Sequence, residues 1–512
     1  MKKLSFLTRI SLMLGFFFTL DKLLAFVRAT IILRQFQLSA TLDAFYFADL
    51  LPSWEAAVFS GSALAMAMIP VLTQALTLRG RQAAWDLFSR IANLAFLATG
   101  IAAALAAVFA EPLVQFWIAP GIGHQEQLFT SGLMRIDLIG TFIFSISGLV
   151  IAGLQANQHF FLPALAPIMY NIGQIFGAAI LAPSQPYSIG PISLPAFGLG
   201  VYGLVYGVII GAALHLAIQI PGLIKYKFHW TPSLDIRDPA LTEMFKVIWP
   251  RVLTVLGVQL MFMARANLAS RLGQTGAFSA LTNGWMIMQV PETLLGTAIA
   301  TAILPTLSEL AAHGDWDGFR QTIERALRIM IALTLPAAAV LAAGIHPLIR
   351  VVFHLNDADA SLLTWTTRAY LVTLCGYAIQ EVAARAFYAR EEAIIPLATI
   401  VIRLSVYLGI GISALVFFRS IGAPAIALAE LSLTIEAIIM FTWLGRRMDK
   451  AVEVDGSILK GLVAALLGGG TAYILALRLP GSAVITAILG MLVGTLIALI
   501  IVRKEARLLL NL

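Results

Sequence analysis

The feature that most constrains this chain is a succession of apolar runs, each about as long as a membrane is thick. A helix crosses the hydrocarbon core of a bilayer with about 20 mostly apolar residues, and roughly fourteen runs reach that length. They lie near 10–33, 44–75, 87–110, 131–153, 161–182, 199–222, 245–270, 278–309, 326–344, 362–388, 394–417, 423–444, 458–477 and 482–502. The chain is therefore predicted to be an all-α integral membrane protein with about 14 transmembrane helices.

Composition agrees with this fold class. Only 12% of the 512 residues are charged and 60% are hydrophobic, whereas a soluble domain has about 25% charged residues. These values exclude a soluble enzyme, a disordered regulator and a nucleic-acid-binding domain. Cys375 is the single cysteine, which excludes a disulfide framework, and the histidines lack the spacing of metal ligands. We therefore expect no metal site, no cofactor and no nucleic-acid partner.

Lysine and arginine are concentrated in alternate connections between the predicted helices. The connections 111–130 and 183–198 contain neither residue. The basic set comprises the N-terminus, Arg390 and the stretches 79–86, 225–246, 312–328, 446–460 and 503–507. Because cytoplasmic loops carry the excess of positive charge, both termini are predicted to be cytoplasmic. The expected location is a bacterial inner membrane, crossed many times.

The sequence also contains an internal repeat. Four pairs of segments match in order: 61–72 with 296–307 and 111–114 with 346–349 at an offset of 235, 156–163 with 389–396 at 233, and Arg28 and Arg34 with Arg265 and Arg271 at 237. Each copy spans six predicted helices, an even number, so the two copies have the same orientation, as in transporters built from parallel repeats. We predict two six-helix lobes, 1–224 and 225–445, followed by transmembrane helices 13 and 14 in 446–512.

Ionisable residues occur at membrane depth, where they usually face a cavity or pair with one another. They include Asp21, Lys22 and Arg28 in the first helix, Asp43, Asp49 and Glu55 in the second, Arg265 with Asn267 in the seventh, and Gln380, Glu381 and Arg385 in the tenth. Arg28 and Arg265 occupy matching repeat positions and predict a cationic wall for an anionic group such as a pyrophosphate. For Glu381 and Arg385, internal ion pairing explains the charges as well as a functional role does. For Arg403, ion pairing or snorkelling to the membrane surface is favoured over a functional role.

Several motifs resemble the MurJ/MviN family. They are Leu-Leu-Ala-Phe-Val-Arg at 23–28, Thr-Leu-Asp-Ala-Phe at 41–45, Leu-Pro at 51–52, Ala-Met-Ile-Pro at 67–70, the segment 296–308 and the segment 381–389. Membership implies the multidrug/oligosaccharidyl-lipid/polysaccharide exporter fold, with two lobes around a cationic cavity and a groove for a polyprenyl tail at helices 13 and 14. It implies a transporter, not an enzyme, that moves undecaprenyl-pyrophosphate-linked peptidoglycan precursor (lipid II) by alternating access.

The resemblance also implies residue roles. Lys22, Arg28, Asp43 and Arg265 are expected to bind the substrate, and Asp21, Asn267, Gln380, Glu381 and Arg385 to serve cation coupling or gating. Coupling to Na⁺, H⁺ or the membrane potential is expected, as are contacts with membrane lipids and with cell-wall synthesis machinery.

This chain departs from the family at three places. Lys22 stands where family members usually have arginine, and arginines usual after Pro52 and within 285–289 are absent.

Two other transport functions and one enzymatic function stay open on the residues alone. The departures favour a flippase for another polyprenyl-linked glycan, whereas the acidic residues Asp21, Asp43, Asp49 and Glu55 favour a cation-coupled drug exporter. A membrane glycosyltransferase would place a catalytic carboxylate on a large external loop, and the predicted external loops have at most about twenty residues.

Overall fold

The computed structural model of this protein describes residues 6–55, 57–58, 62–186, 188–189, 192–235, 239–392, 394–448, 450, 452–454 and 456–508. These residues form two compact units that divide between Asn267 and Leu268. Helices make up nearly all of both units, which confirms the predicted all-α class. The exception among the described residues is a short hairpin, β1 (Ser188–Ile189) with β2 (Ile192–Ser193), paired antiparallel with Ser188 opposite Ser193.

The first unit is built from nine helices within its described residues. They are α1 (Phe6–Phe36), α2 (Ala40–Glu55), α3 (Ser62–Val108), α4 (Ala110–Leu113), α5 (His124–Ala156), α6 (Phe161–Phe176), α7 (Val201–Ala217), α8 (Ile220–Lys225) and α9 (Pro239–Ser270). The segments Val114–Ile118 and Gly177–Leu181 are π-helical. Helix α9 ends three residues after the division between the units.

The second unit contains the remaining helices of the described chain. They are α10 (Ala277–Glu292), α11 (Ala298–His313), α12 (Trp316–Phe353), α13 (Asp357–Ala389), α14 (Ile394–Phe417), α15 (Ala423–Ala427), α16 (Ser432–Arg447), α17 (Ser457–Arg478), α18 (Ala483–Ile501) and α19 (Arg503–Leu508). A π-helical turn, Thr293–Thr297, joins α10 to α11, and 3₁₀ turns occupy Arg419–Ile421 and Leu428–Leu431.

Eleven segments of the described chain are long and apolar enough to cross a membrane, so the predicted count of fourteen is not confirmed. Helix α1 and helix α13 cover the predicted spans 10–33 and 362–388, but both carry several charges. The predicted span 44–75 is divided between α2 and α3, and α3 also contains the span 87–110. Gly80 bends α3 between these two parts, at a φ of 83° that glycine adopts without steric cost.

Glycines set the closest helix contact in the first unit. A methyl group added at Gly173 of α6 would lie 2.3 Å from the Cα atom of Gly211 on α7, and one added at Gly177 would lie 2.5 Å from that of Gly207. The backbones of α6 and α7 therefore touch, as is typical of helix pairs in membranes. This contact fixes α6, whose other face carries polar residues of the site described below.

The connection after α8 runs along α3. Trp85 donates from Nε1 to the carbonyl of Tyr226 at 3.0 Å, and Asn93 donates to the carbonyl of Thr231 at 2.8 Å. In the short connection between α5 and α6, the ring of His159 packs edge to face on Tyr226. Burial and the nearby charge of Lys225 lower the pKa of His159 below its usual value.

Helices α17 and α18 form a tightly packed pair against α12. Gly468 and Gly494 approach each other so closely that an added methyl at Gly494 would lie 2.4 Å from the Gly468 carbonyl oxygen. Gly461 and Gly469 make similar approaches to the backbone of α12. Small residues at these positions allow the three helices to pack as one layer.

Candidate functional site

The charged residues of α1 lie within reach of α6. Asn171 donates from Nδ2 to Oδ1 of Asp21 at 2.7 Å. Lys22 lies on another side of the helix, with its ammonium 3.7 Å from Asp21 and 5.2 Å from the ring centroid of Phe18. Its side chain is 63% exposed. Asp21 is therefore held by α6, whereas Lys22 is accessible.

Arg28 lies two helical turns after Asp21 and also contacts α6. Its guanidinium donates from Nη1 to the amide oxygen of Gln174, and it is close enough to Asp49 on α2 for an electrostatic interaction. An amide oxygen leaves the guanidinium charge intact. Arg28 can therefore offer other donors to an anion while Gln174 holds the side chain in place.

The other two residues predicted to bind substrate are buried. Asp43, in the first turn of α2, is 8% exposed, and Arg265 on α9 is 3% exposed. The Arg265 guanidinium lies over the ring of Phe262, 4.9 Å from its centroid. Nearby in the chain, Asn267 donates to the carbonyl of Trp117 at 2.8 Å. A site shared by Arg28 and Arg265 stays a prediction.

Three of the predicted gating residues lie on α13 in the second unit. Glu381 and Arg385 form an ion pair one turn apart, with 3.0 Å between Oε2 and Nη2. Gln380 precedes them and is half-buried. The internal pairing considered from the sequence is therefore present for Glu381 and Arg385, and their role in gating stays a prediction.

Arg403 is held within the second unit by two carboxylates. Its Nη2 lies 3.0 Å from Oε2 of Glu430, and its Nε lies 3.9 Å from Oε2 of Glu436. Both glutamates are 1% exposed, and Glu436 accepts a further hydrogen bond from the hydroxyl of Thr399 at 2.9 Å. The sequence favoured pairing or snorkelling for Arg403, and the structure shows pairing.

The structure adds a residue that the sequence analysis missed. Asp137 on α5 is 1% exposed and lies against Asp49 of α2, within hydrogen-bonding range of its carboxyl group. The hydroxyl of Ser53 donates to Oδ2 of Asp49 at 2.9 Å. Asp137 falls inside the predicted span 131–153. Because a carboxylate at membrane depth is costly and usually has a function, its position in the sequence could have identified it.

A second missed residue is Glu292, which matches Glu55 at the repeat offset of 237. Glu55 is 7% exposed and Glu292 3% exposed, and each comes just before π-helical backbone, at 57–58 and at Thr293–Thr297. Thr297 donates its hydroxyl to Glu292 across this turn at 2.8 Å. The repeat register could have identified this pair from the sequence.

The second unit also contains an apolar groove of about 410 Å³ between α12 and α18. Its walls include Leu333, Pro336 and Val340 of α12, Ile488 and Leu492 of α18, and Leu295 of the π-helical turn. Such a lining accepts hydrocarbon and offers few partners for polar groups. This groove is formed in part by the helix pair that the sequence places after the two repeats.

Solved structures support the fold. The chain resembles a structure titled "Lipid II flippase MurJ, inward closed conformation" with a TM-score of 0.75 and 19% identity, over 98% of this chain and 100% of that chain. It also resembles an inward-facing multidrug resistance MATE family transporter of the MOP superfamily, with a TM-score of 0.68 and 14% identity, over 84% of this chain and 94% of that one.

Sequence comparison identifies relatives and a family. The chain is 27% identical to "Lipid II flippase MurJ" of Burkholderia cenocepacia over 441 residues, 84% of this chain and 82% of the relative. It is 25% identical to "Probable lipid II flippase MurJ" of Vibrio cholerae over 388 residues, 74% and 71% of the two chains. The family model described as "Lipid II flippase MurJ" matches residues 33–494. Because that match covers most of the chain, this protein belongs to the MurJ family.

Proposed function

We propose that this protein is a transporter that flips lipid II across the bacterial inner membrane by alternating access. The observation that carries the proposal is the family match over residues 33–494. Eleven segments of the described residues are long and apolar enough to cross a membrane, which agrees with a multi-pass membrane protein. A flippase binds and releases its substrate unchanged, so this function requires no catalytic residue.

The pyrophosphate of the lipid is proposed to bind to Arg28 and Arg265, with Lys22 as an accessible third cation. Arginine suits this role because its planar guanidinium makes two parallel hydrogen bonds to phosphate oxygens. The amide of Gln174 presets the orientation of Arg28, and the ring of Phe262 supports Arg265. Asp43 is proposed to accept hydrogen bonds from the sugar or peptide part of the substrate.

The polyprenyl tail is proposed to occupy the groove between α12 and α18. What supports this assignment is the apolar character of the lining, from Leu333 and Val340 to Leu492. Burying hydrocarbon there is favourable by about 25 cal/mol per Å² of surface removed from water. The charged head group and the apolar tail are thus proposed to bind through separate parts of the chain.

Three further elements of the mechanism are proposals. Asp21, Asn267, Gln380, Glu381 and Arg385 are proposed to act in coupling or gating. The transport cycle is proposed to draw on Na⁺, H⁺ or the membrane potential, with both termini in the cytoplasm. Cell-wall synthesis enzymes are proposed to use the flipped lipid as their substrate.

The experiment that tests the substrate is flipping of labelled lipid II in proteoliposomes, paired with growth of cells depleted of their own lipid II flippase. Arg28→Ala and Arg265→Ala should each reduce flipping by roughly 10- to 100-fold, because a charge-assisted hydrogen bond contributes about 1.5–3 kcal/mol. Arg28→Lys should lose less, since the charge remains. Arg478→Ala, an exposed residue at the end of α17, is the matched control and should leave flipping unchanged.

A second candidate is cation-coupled export of amphiphilic drugs, for which the buried acidic residues of α2 and α5 are the favouring observation. A cationic drug would bind to carboxylates and gain nothing from Arg28 or Arg265. Full flipping activity in both alanine variants would reject the cationic site, and Asp21 and Asp43 would then be the residues to test. If the protein flips a different polyprenyl-linked glycan and does not flip lipid II, it is a flippase for that glycan instead.

A further inference from the structure

A pair of buried carboxyl groups lies inside the first unit, where α2 packs on α5. Asp137 is 1% exposed, and neither of its carboxyl oxygens meets a hydrogen-bond donor among the described residues. Asp49 lies within hydrogen-bonding range of it. Two carboxylates are both acceptors, so a hydrogen bond between them requires a proton on one of them. The geometry therefore provides a place for one proton.

The charge balance favours the same occupancy. Arg28 is the cation that interacts electrostatically with Asp49, so two ionised carboxylates and one guanidinium would leave a net charge of −1. An unbalanced charge in a low-dielectric interior is costly. One proton shared by Asp49 and Asp137 makes the group neutral.

Besides Asp137, the titratable groups that interact electrostatically with Asp49 are Arg28 of α1 and Tyr170 of α6, among the described residues. Helix α6 contributes the hydroxyl of Tyr170, and α7 contributes His215, which packs edge to face on the Tyr170 ring at 6.2 Å and bonds to Ser147. On α5 itself, Arg135 points away and donates to the carbonyl of Ala107 on α3 at 3.0 Å. Helix α3 packs on α5 here through apolar side chains such as Phe96 on Phe142.

We propose that Asp49 and Asp137 form a proton-binding site that couples proton movement to transport through Arg28. The inference rests on the proposed function and names its coupling ion. The proton enters from water onto a carboxylate oxygen and leaves to water when the site is exposed, with no other bond made or broken. With one proton the pair carries a charge of −1 instead of −2, so it attracts Arg28 less strongly, and the guanidinium is more available to a pyrophosphate.

Linkage fixes the sign of this coupling. If protonation of Asp49 and Asp137 strengthens anion binding at Arg28, anion binding must strengthen proton binding by the same factor. Binding of lipid II should therefore be tighter at lower pH and should take up protons. Both effects should vanish in Asp137→Asn, whose amide donates permanently to Asp49.

The test that needs no substrate is infrared spectroscopy of the purified protein, in which a protonated carboxylic acid has a carbonyl band separate from that of a carboxylate. The difference spectrum between wild type and Asp137→Asn should show the loss of one such band at neutral pH. Glu126→Gln, an exposed position on the same helix, is the control and should remove none. An unchanged band in both Asp137→Asn and Asp49→Asn would overturn the proton site.

Ser53→Ala keeps the site testable if the asparagine variants fail to fold. It removes the hydroxyl that donates to the ionised form of Asp49, so the carboxylic acid band should persist to higher pH than in wild type. A band with the same pH dependence as in wild type would contradict the assignment of the proton to Asp49 and Asp137. In proteoliposomes, an imposed pH gradient should change the rate of lipid II flipping in wild type and not in Asp137→Asn. A gradient without effect on active wild type would overturn the coupling, whereas an absence of flipping would reject the proposed function and leave the infrared result standing.

Discussion

Replacing Arg403 by methionine should strongly destabilise the second unit. In the folded chain this guanidinium pairs with two carboxylates, with Nη2 3.0 Å from Oε2 of Glu430 and Nε 3.9 Å from Oε2 of Glu436. Both glutamates are almost fully buried. Removing the cation leaves two carboxylates close together, which must either stay charged without a partner or take up protons. Truncating one partner of a buried ion pair typically costs about 3–5 kcal/mol.

The expected loss of unfolding free energy on Arg403→Met is therefore about 3–5 kcal/mol. Since about 1.4 kcal/mol corresponds to a factor of ten, the unfolding constant should rise by roughly 10²- to 4 × 10³-fold. The assay is reversible unfolding in mixed micelles by a denaturing detergent, followed through tryptophan fluorescence. Wild type and variant should be measured at the same micelle composition, because the detergent sets the reference state.

The triple variant Arg403→Met, Glu430→Gln, Glu436→Gln is the decisive control. It replaces the whole charged cluster with neutral groups of similar volume, and the amide oxygen that Glu436→Gln introduces can still accept the hydrogen bond from Thr399. Such replacements are often neutral or stabilising, so most of the lost stability should return. A single variant within about 0.5 kcal/mol of wild type, the usual range for surface substitutions, would refute the reasoning.

Three other outcomes follow from packing, titration and topology. Gly173→Ala should lower the free energy of unfolding by about 1–3 kcal/mol because the added methyl overlaps the backbone of α7. Gly132→Ala on α5, with open space around it, should cause no such loss. Equal stabilities of the two variants in unfolding titrations would contradict the contact. The lowered pKa of His159 means that the unfolded chain binds its proton more tightly, so stability should fall as pH drops below about 6.5; His159→Asn should flatten this dependence, and an unchanged pH profile would count against it. Single cysteines at Lys225 and Arg320, in a chain without the native cysteine, should resist labelling from outside intact cells, and external labelling would reverse the predicted topology.

Local sequence patterns predicted the helices well because the apolar runs are long and continuous. The predicted spans 394–417 and 458–477 coincide with α14 and α17 to within one residue at each end. Pro52 indicates that the predicted span 44–75 is bent or extends past the lipid, but the hydropathy of the run does not show where α2 ends and α3 begins within it. The charged residues of α1 and α13 make these helices less apolar, so their assignment as membrane spans is ambiguous. The same charged residues made both helices candidates for the functional site.

The pairing of polar residues was predictable only where the partners are close in sequence. Glu381 and Arg385 are one helical turn apart, and their ion pair follows from helical geometry alone. Asp49 and Asp137 are 88 residues apart, and their contact depends on how α2 packs on α5. Periodicity within one helix contains no information about that packing.

The π-helical turn after Glu292 bears on how the two halves of this chain diverged. Upstream of it the halves align at an offset of 237, through Glu55 and Glu292, and downstream at 235, through Gly61 and Gly296. The first half is thus two residues longer at this one place. Inside a regular α-helix, two extra residues would rotate everything that follows by about 200°, whereas irregular winding absorbs a change in length. After the ancestral duplication, this turn is where the copies could differ in length while each kept its buried glutamate.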